Sequence, residues 1–352
     1  MNGVFVNQRA TPRRTRWAVV SLAAALLLAA CGDDSSSSTA DAADAGTAKS
    51  TVADATVPAN SDAPVADVGN SAFDTSVEQA SRIRADKDPA SAELLPAKWK
   101  DSGKLVVGVG AFDAPPLLLY ADDETTLIGN EIDLAYIVAD TLGLEVDIQP
   151  SSWENLFLSV ESGQYDVAFS NITVTEERKD KYDFASYRVD SLAFEANADS
   201  DLVVTKAADV AGKKVAVGSG TNQEQILLAW DKENQAAGLP AADIQYYQNE
   251  ADFLLALDSG RIELYFGPAP SASYRHNTTG KTKIVGVVPG GGSIPAQIAA
   301  MTLKGNELAP ALASAINHLI ETGTYLEVLK KWGLDVEAID ASEVNPPGLP
   351  RS

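Results

Sequence analysis

The chain has 352 residues, which leaves room for one or two compact domains once its ends are set aside. Hydrophobic residues make up 45% and charged residues 22%, the balance of an ordinary globular protein, and the formal net charge of −22 argues against nucleic acid as a partner. Cys31 is the one cysteine and His276 and His318 are the only histidines, so no intrachain disulfide can form and a Cys/His zinc site has no ligands; no metal or cofactor is implied.

Residues 1–30 read as an address. Four arginines (Arg9, Arg13, Arg14, Arg16) precede a nearly apolar run from Trp17 to Ala30, shorter than the ~20 residues of a membrane-spanning helix. The run ends Leu28-Ala29-Ala30-Cys31, which looks like a bacterial lipoprotein lipobox. That likeness implies a diacylated Cys31 as the mature N-terminus; plain secretion with a free thiol is the alternative. The stretch 31–73 is rich in Ser, Ala, Asp and Thr and cannot bury enough apolar surface to offset its ordering entropy, so it is expected to be a disordered tether. A flexible coil of forty-odd residues spans about 35–40 Å. A short helical lead-in is expected over 74–100, with its helix within 74–92.

Strands and helices then alternate. Lys104–Val109 reads as a buried strand, and Asn130–Leu142 as a helix with Ile132, Leu134, Ile137, Val138 and Leu142 at helical spacing and Gly143 as its stop. Glu145–Gln149 (strand), Trp153–Ser162 (helix) and Asp166–Ser170 (strand) follow. A second series runs Lys213–Val217 (strand), Gln223–Asn234 (helix), Ile244–Tyr247 (strand), Glu250–Asp258 (helix), Leu264–Phe266 (strand) and Ile284–Val288 (strand). Leu308–Thr322 and Tyr325–Trp332 are closing helices, each followed by glycine. The alternation predicts an α/β protein with parallel sheets, and the breaks near Ala185–Ser200 and Pro289–Ile294 divide it into two lobes. Ligands in such sheets sit beyond the carboxyl ends of the strands, so facing lobes would enclose a cleft.

The runs Gly129-Asn130-Glu131-Ile132-Asp133-Leu134-Ala135, Ser152-Trp153-Glu154-Asn155-Leu156 and Ser170-Asn171-Ile172-Thr173-Val174-Thr175-Glu176-Glu177-Arg178 resemble the family 3 extracellular solute-binding proteins. So do Ala211 to Thr221 and Lys330-Lys331-Trp332-Gly333-Leu334, and the resemblance spans roughly residues 100–335. It implies a two-lobed, periplasmic-binding-protein-like fold (type II), hinged by two crossing strands: lobe one from 101–191 plus 289–340, lobe two from 192–288, and a C-terminal tail over 341–352. It also implies that this is the monomeric, lipid-anchored, extracytoplasmic binding subunit of an ABC importer. Such a subunit carries a small amino-acid-like ligand to permease and ATPase subunits and catalyses nothing. The competing readings are a sensor lipoprotein and a cyclohexadienyl-dehydratase-like enzyme on the same fold.

For the site, the resemblance casts Arg178 as the clamp on a ligand carboxylate. A planar guanidinium fork matches a carboxylate bidentately, and a solvated helix-start arginine is the plainer alternative. Ser170, Asn171 and Thr173 lie on the loop before it. Gly218-Ser219-Gly220 and then Thr221, Asn222 and Gln223 form a Gly-rich turn at a helix N-terminus, where backbone N–H groups and the helix dipole favour an anion. Trp153 is expected either to cover the ligand's apolar face or to be a core aromatic, and Asp113 either to bind a cationic group or to be solvated. The family's usual acid for the α-ammonium is replaced here by Pro268, which offers neither charge nor N–H. Either another acid, such as Asp113, takes over, or the ligand is not a standard α-amino acid.

Overall fold

The computed structural model describes residues 64–69, 73–110 and 114–351. The expected signal segment, Cys31, most of the expected tether, and Asp113 lie outside the described residues.

Lobe one begins with α1 (Pro89–Glu93) and α2 (Ala97–Ser102), then β1 (Lys104–Gly110), the small ribbon of β2 (Leu119–Tyr120) and β3 (Leu127–Ile128), α3 (Asn130–Leu142), β4 (Glu145–Ser151), α4 (Trp153–Glu161), β5 (Val167–Ala168) and β6 (Tyr182–Val189). Lobe two holds β7 (Ser191–Asn197), β8 (Lys214–Val217), α5 (Asn222–Ala236), β9 (Asp243–Tyr246), α6 (Glu250–Asp258), β10 (Leu264–Pro268), α7 (Ala269–Thr279) and β11 (Thr282–Pro289). The chain returns to lobe one for β12 (Gln297–Leu303), α8 (Ala309–Thr322) and α9 (Thr324–Lys331). Each lobe has a five-stranded sheet, in the orders β4-β1-β5-β12-β6 and β11-β7-β10-β8-β9. β4, β1 and β5 are parallel, as are β10, β8 and β9, while the strands nearest the crossings pair antiparallel.

Apolar periodicity explains most of this. Val107 and Val109 of β1 are fully buried, and Ile132, Leu134, Ile137 and Val138 turn α3 onto α8 and α9. Gly129 enters α3 at φ 130°, where a Cβ would lie 2.5 Å from the Leu117 carbonyl oxygen, so only glycine fits.

The sheets meet at two adjacent crossings. Val189-Asp190-Ser191 carries the chain into lobe two and Gly290 to Ala296 carries it back. The crossings are stitched by Gly290 N–H to the Asp190 carbonyl and Asp190 N–H to the Ala296 carbonyl (both 2.9 Å). Among the described residues no helix is long and apolar enough to cross a membrane.

Three sequence expectations need correction. First, the tether does not extend to residue 73. Val68 is 1% exposed, its N–H donates to Ser273 Oγ and its carbonyl accepts from Asn277, both on α7, while Phe73 packs on Trp332. A few apolar residues among many polar ones suffice when a groove between the lobes receives them. Second, the lead-in helix within 74–92 is only α1, Pro89–Glu93, because Arg82 and Arg84 instead hold the preceding segment against α3 through Asp133 and Asp140. Third, the 185–200 break is two long strands, and α7 and β12 also escaped the sequence reading. Prolines at the start of α7 mask a helix whose first turn needs no N–H, and β7 is buried on both faces and so shows no alternation. The tail over 341–352 is held in place: Glu343 and Asn345 pair with β6, and Leu349 exchanges hydrogen bonds with Val174 and Glu176 while its side chain joins the lobe-two core.

Candidate functional site

Between the lobes, at the carboxyl ends of the parallel strands, lies a partly open cavity. Its wall includes Trp153, Ser170 and Asn171 from lobe one and Thr221, Asn222, Gln223 and Pro268 from lobe two. A neighbouring cavity shares Trp153, Ser219 and Thr221 and contains Arg178. Most of the sequence-derived candidates thus line one of these two adjoining cavities, Arg178 the neighbouring one and not the main one.

Trp153 is the first residue of α4, directed by the Ser152 N-cap, and meets Phe157 edge-on at 4.9 Å between centroids. The Arg178 guanidinium lies 5.5 Å from the Trp153 ring and 5.1 Å from Phe157. It donates Nη1 to the Thr173 carbonyl (2.7 Å) and Nη2 to the Gly220 carbonyl of lobe two (3.0 Å), so it spans the gap. Burial lowers its pKa to about 10, with the Asp190 carboxylate pulling the other way.

The smaller donors are already partnered within the chain. Ser170 Oγ accepts from Gly110 N–H (2.9 Å). Asn171 sits at φ 50°, its N–H donating to Glu131 (3.1 Å) and its Oδ1 accepting from Arg188. Thr173 Oγ1 donates to Asp190 Oδ2 (2.7 Å), which also accepts from Asn222 Nδ2 (2.9 Å). Thr221 caps α5 by accepting from Glu224 N–H (3.2 Å), and Gly220 N–H is taken by the Glu224 carboxylate (2.6 Å). Helix geometry leaves the N–H groups of Asn222 and Gln223 at the α5 terminus as the donors of this turn.

The groups missed in the sequence form a charged layer beneath this floor. Asp190 sits in the first crossing and ties lobe one, through Thr173, to lobe two, through Asn222. Burial raises its pKa, opposed by the Thr173 hydroxyl and the Arg188 charge. A Cβ on Gly290 would fall 2.0 Å from the Asp190 carboxylate, which is why glycine returns the chain there. Arg188, 1% exposed, pairs with Glu131 (3.1 Å) and Glu337, and Glu131 also accepts from the Tyr187 hydroxyl. Charges inside an otherwise apolar strand were the available signal, since Arg188 and Asp190 interrupt the run Tyr187 to Phe194.

One guanidinium facing several buried acids has a consequence for pH. Burial pushes the Glu337 carboxyl up to about 7; the Arg188 charge lowers it and the Asp190 and Glu131 charges raise it further. The folded protein therefore keeps a proton that the unfolded chain releases near the usual glutamate value of ~4.3. This contribution to stability is complete below that value and is lost as pH rises through about 7. Urea unfolding from pH 5 to 8 is expected to show a decline on the order of 2–3 kcal/mol that Glu337→Gln lacks. An identical pH profile for the two proteins would contradict it.

The same architecture occurs in proteins of known binding role. An ancestral arginine-binding protein bound to arginine superposes with a TM-score of 0.57 at 28% identity, covering 65% of this chain and 98% of that one. The ancestral amino acid-binding protein AncCDT-1, described as a precursor of cyclohexadienyl dehydratase, gives 0.58 at 26%, covering 67% and 97%. In sequence, the L-cystine-binding protein TcyJ of Escherichia coli (strain K12) is 31% identical over 249 residues, 69% of this chain and 88% of that protein. The arginine-binding protein ArgT of Corynebacterium glutamicum is 26% identical over 270 residues, 75% and 85%. The profile of bacterial extracellular solute-binding proteins, family 3, matches residues 105–335, a span that takes in both sheets, both crossings and the cavity between them. The chain belongs to that family of solute-binding proteins.

Proposed function

We propose that the chain captures a small amino-acid-like carboxylate outside the cytoplasmic membrane and delivers it to the permease of an ABC importer, performing no chemistry on it. The observation that carries this reading is the Arg178 guanidinium in the interlobe gap, touching both lobes and backed by the N-terminus of α5. A carboxylate entering there can displace the Gly220 carbonyl as hydrogen-bond acceptor and meet donors from both halves at once. Such contacts exist together only when the lobes are closed, so the ligand favours the closed form. The named relatives, which bind cystine and arginine, support an amino acid as the ligand. The run Leu28-Ala29-Ala30-Cys31 supports anchorage through lipid on Cys31.

The test is calorimetry on the purified, delipidated protein against the L-amino acids, L-cystine and their desamino and decarboxylated analogues. Carboxylate-bearing members should bind in the micromolar range or tighter and decarboxylated amines should not. Failure of every carboxylate would overturn the reading. Fractionation of the expressing cells should find the protein with membranes, and Cys31→Ser should release it; release of both alike would remove the anchor.

A further inference from the structure

The Arg178 guanidinium is held by two carbonyls, Thr173 in lobe one and Gly220 in lobe two, and both lie on segments fastened to the same oxygen. Thr173 donates its hydroxyl to Asp190 Oδ2 (2.7 Å), and Asn222, two residues after Gly220, donates Nδ2 to that same atom (2.9 Å). Thr173, Asp190 and Asn222 are each at most 3% exposed. The separation of the two carbonyls, and with it the aim of the guanidinium, is therefore set from below by one buried carboxylate.

That carboxylate has little freedom of its own. The N–H and carbonyl of Asp190 are both tied to the returning crossing, at Ala296 and Gly290 (both 2.9 Å). The side chain fills the space a Gly290 side chain would take, since a Cβ there would fall 2.0 Å from Oδ2. Asn222 is the first residue of α5, and its Nδ2 also donates to the Gly290 carbonyl (2.9 Å), so both of its amide protons are committed to the crossings. Without the Asp190 oxygen, a buried hydroxyl and a buried amide N–H lose an acceptor, and the loops that carry them regain one only by moving.

We propose that Asp190 is a positioning residue for Arg178: by accepting from both lobes with one oxygen, it aims the guanidinium at the ligand carboxylate without touching the ligand. This rests on the functional reading above and adds to it how the clamp is oriented. It also says which substitution is tolerated. The role needs an oxygen at this point and not a charge. Asparagine preserves it, because its Oδ1 accepts from both Thr173 and Asn222, and alanine does not.

The experiment is calorimetry with the L-amino acids and L-cystine on the wild type, Asp190→Ala and Asp190→Asn, and on Arg178→Met with and without Asp190→Ala. For the compound that the wild type binds tightest, Asp190→Ala should weaken affinity about 10-fold or more, and Asp190→Asn less than about threefold. In the Arg178→Met background, Asp190→Ala should cost less than about threefold, because the group it positions is gone. A purely structural role would carry the same loss into both backgrounds, and that result would overturn the proposal. So would wild-type affinity in a folded Asp190→Ala, or an Asp190→Asn as weak as Asp190→Ala. Should Asp190→Ala fail to fold, Thr173→Val removes one of the two bonds and keeps the acid. It should weaken binding roughly 3- to 10-fold with Arg178 present and not without it, and an equal effect in both backgrounds would overturn the proposal. Silence of the wild type towards the whole panel, or wild-type binding by Arg178→Met, would instead overturn the functional reading, and this proposal with it.

Discussion

Arg178→Met is expected to weaken binding of the carboxylate ligand on the order of 100-fold or more, about 3 kcal/mol, with little change in melting temperature. The guanidinium is already stripped of much of its water, which is why its pKa falls to about 10. Its hydrogen bonds go to neutral carbonyls, at Thr173 and Gly220, rather than to a carboxylate. Exchanging one carbonyl for a ligand carboxylate adds a charge-assisted, potentially bidentate contact without a further large desolvation cost. Methionine preserves the packing against Trp153 and Phe157 but offers no donor. Arg178→Lys keeps the charge and loses the planar fork, so an intermediate loss near 10-fold is expected. Titration calorimetry decides: affinity for Arg178→Met within threefold of wild type would show that the acid group is held elsewhere.

Arg188→Met is expected to cost about 3–5 kcal/mol of stability and lower the melting temperature by roughly 10 °C. The side chain is 1% exposed and joins Glu131 at the start of α3, Glu337 near the end of lobe one, and Asn171 on the loop that lines the cavity. Removing the cation leaves these acids buried among one another. Protonation of Glu337, whose pKa is already about 7, limits the damage but does not satisfy Glu131 and the Asn171 amide. A calorimetric melt shifted by less than 3 °C would show that the network is not what holds this part of lobe one together.

Much of the fold was legible because it is written in local periodicity. β1, α3, α4 and α5 each bury one stripe or a continuous apolar run within about fifteen residues, and glycines mark their ends. The candidate residues Trp153, Arg178 and Thr221 were legible through motif likeness, and each sits beside the start of a helix. What escaped depends on distant partners. Arg188 acquires meaning from Glu131 and Glu337, 57 and 149 residues away, and Arg275 from Glu195, 80 residues away, and Glu250. Glu250 looks in the sequence like an ordinary first-turn acid behind the Asn249 cap, and only the fold turns it towards a cavity. The segment 64–69 has tether-like composition, and its burial depends on the groove beside α7.

Two strands pass between the lobes, but so do both ends of the described chain. Pro64 is held by Ser191 and Val68 by α7, a few residues before Phe73 reaches Trp332; at the other end Leu349 is clasped by Val174 while its side chain sits in the core of the opposite lobe. Any widening of the mouth must therefore draw on the slack in four lengths of polypeptide rather than two. The travel of this clam is set by its shortest leash, and a chain trimmed before residue 73 or after residue 345 would swing further than the intact one.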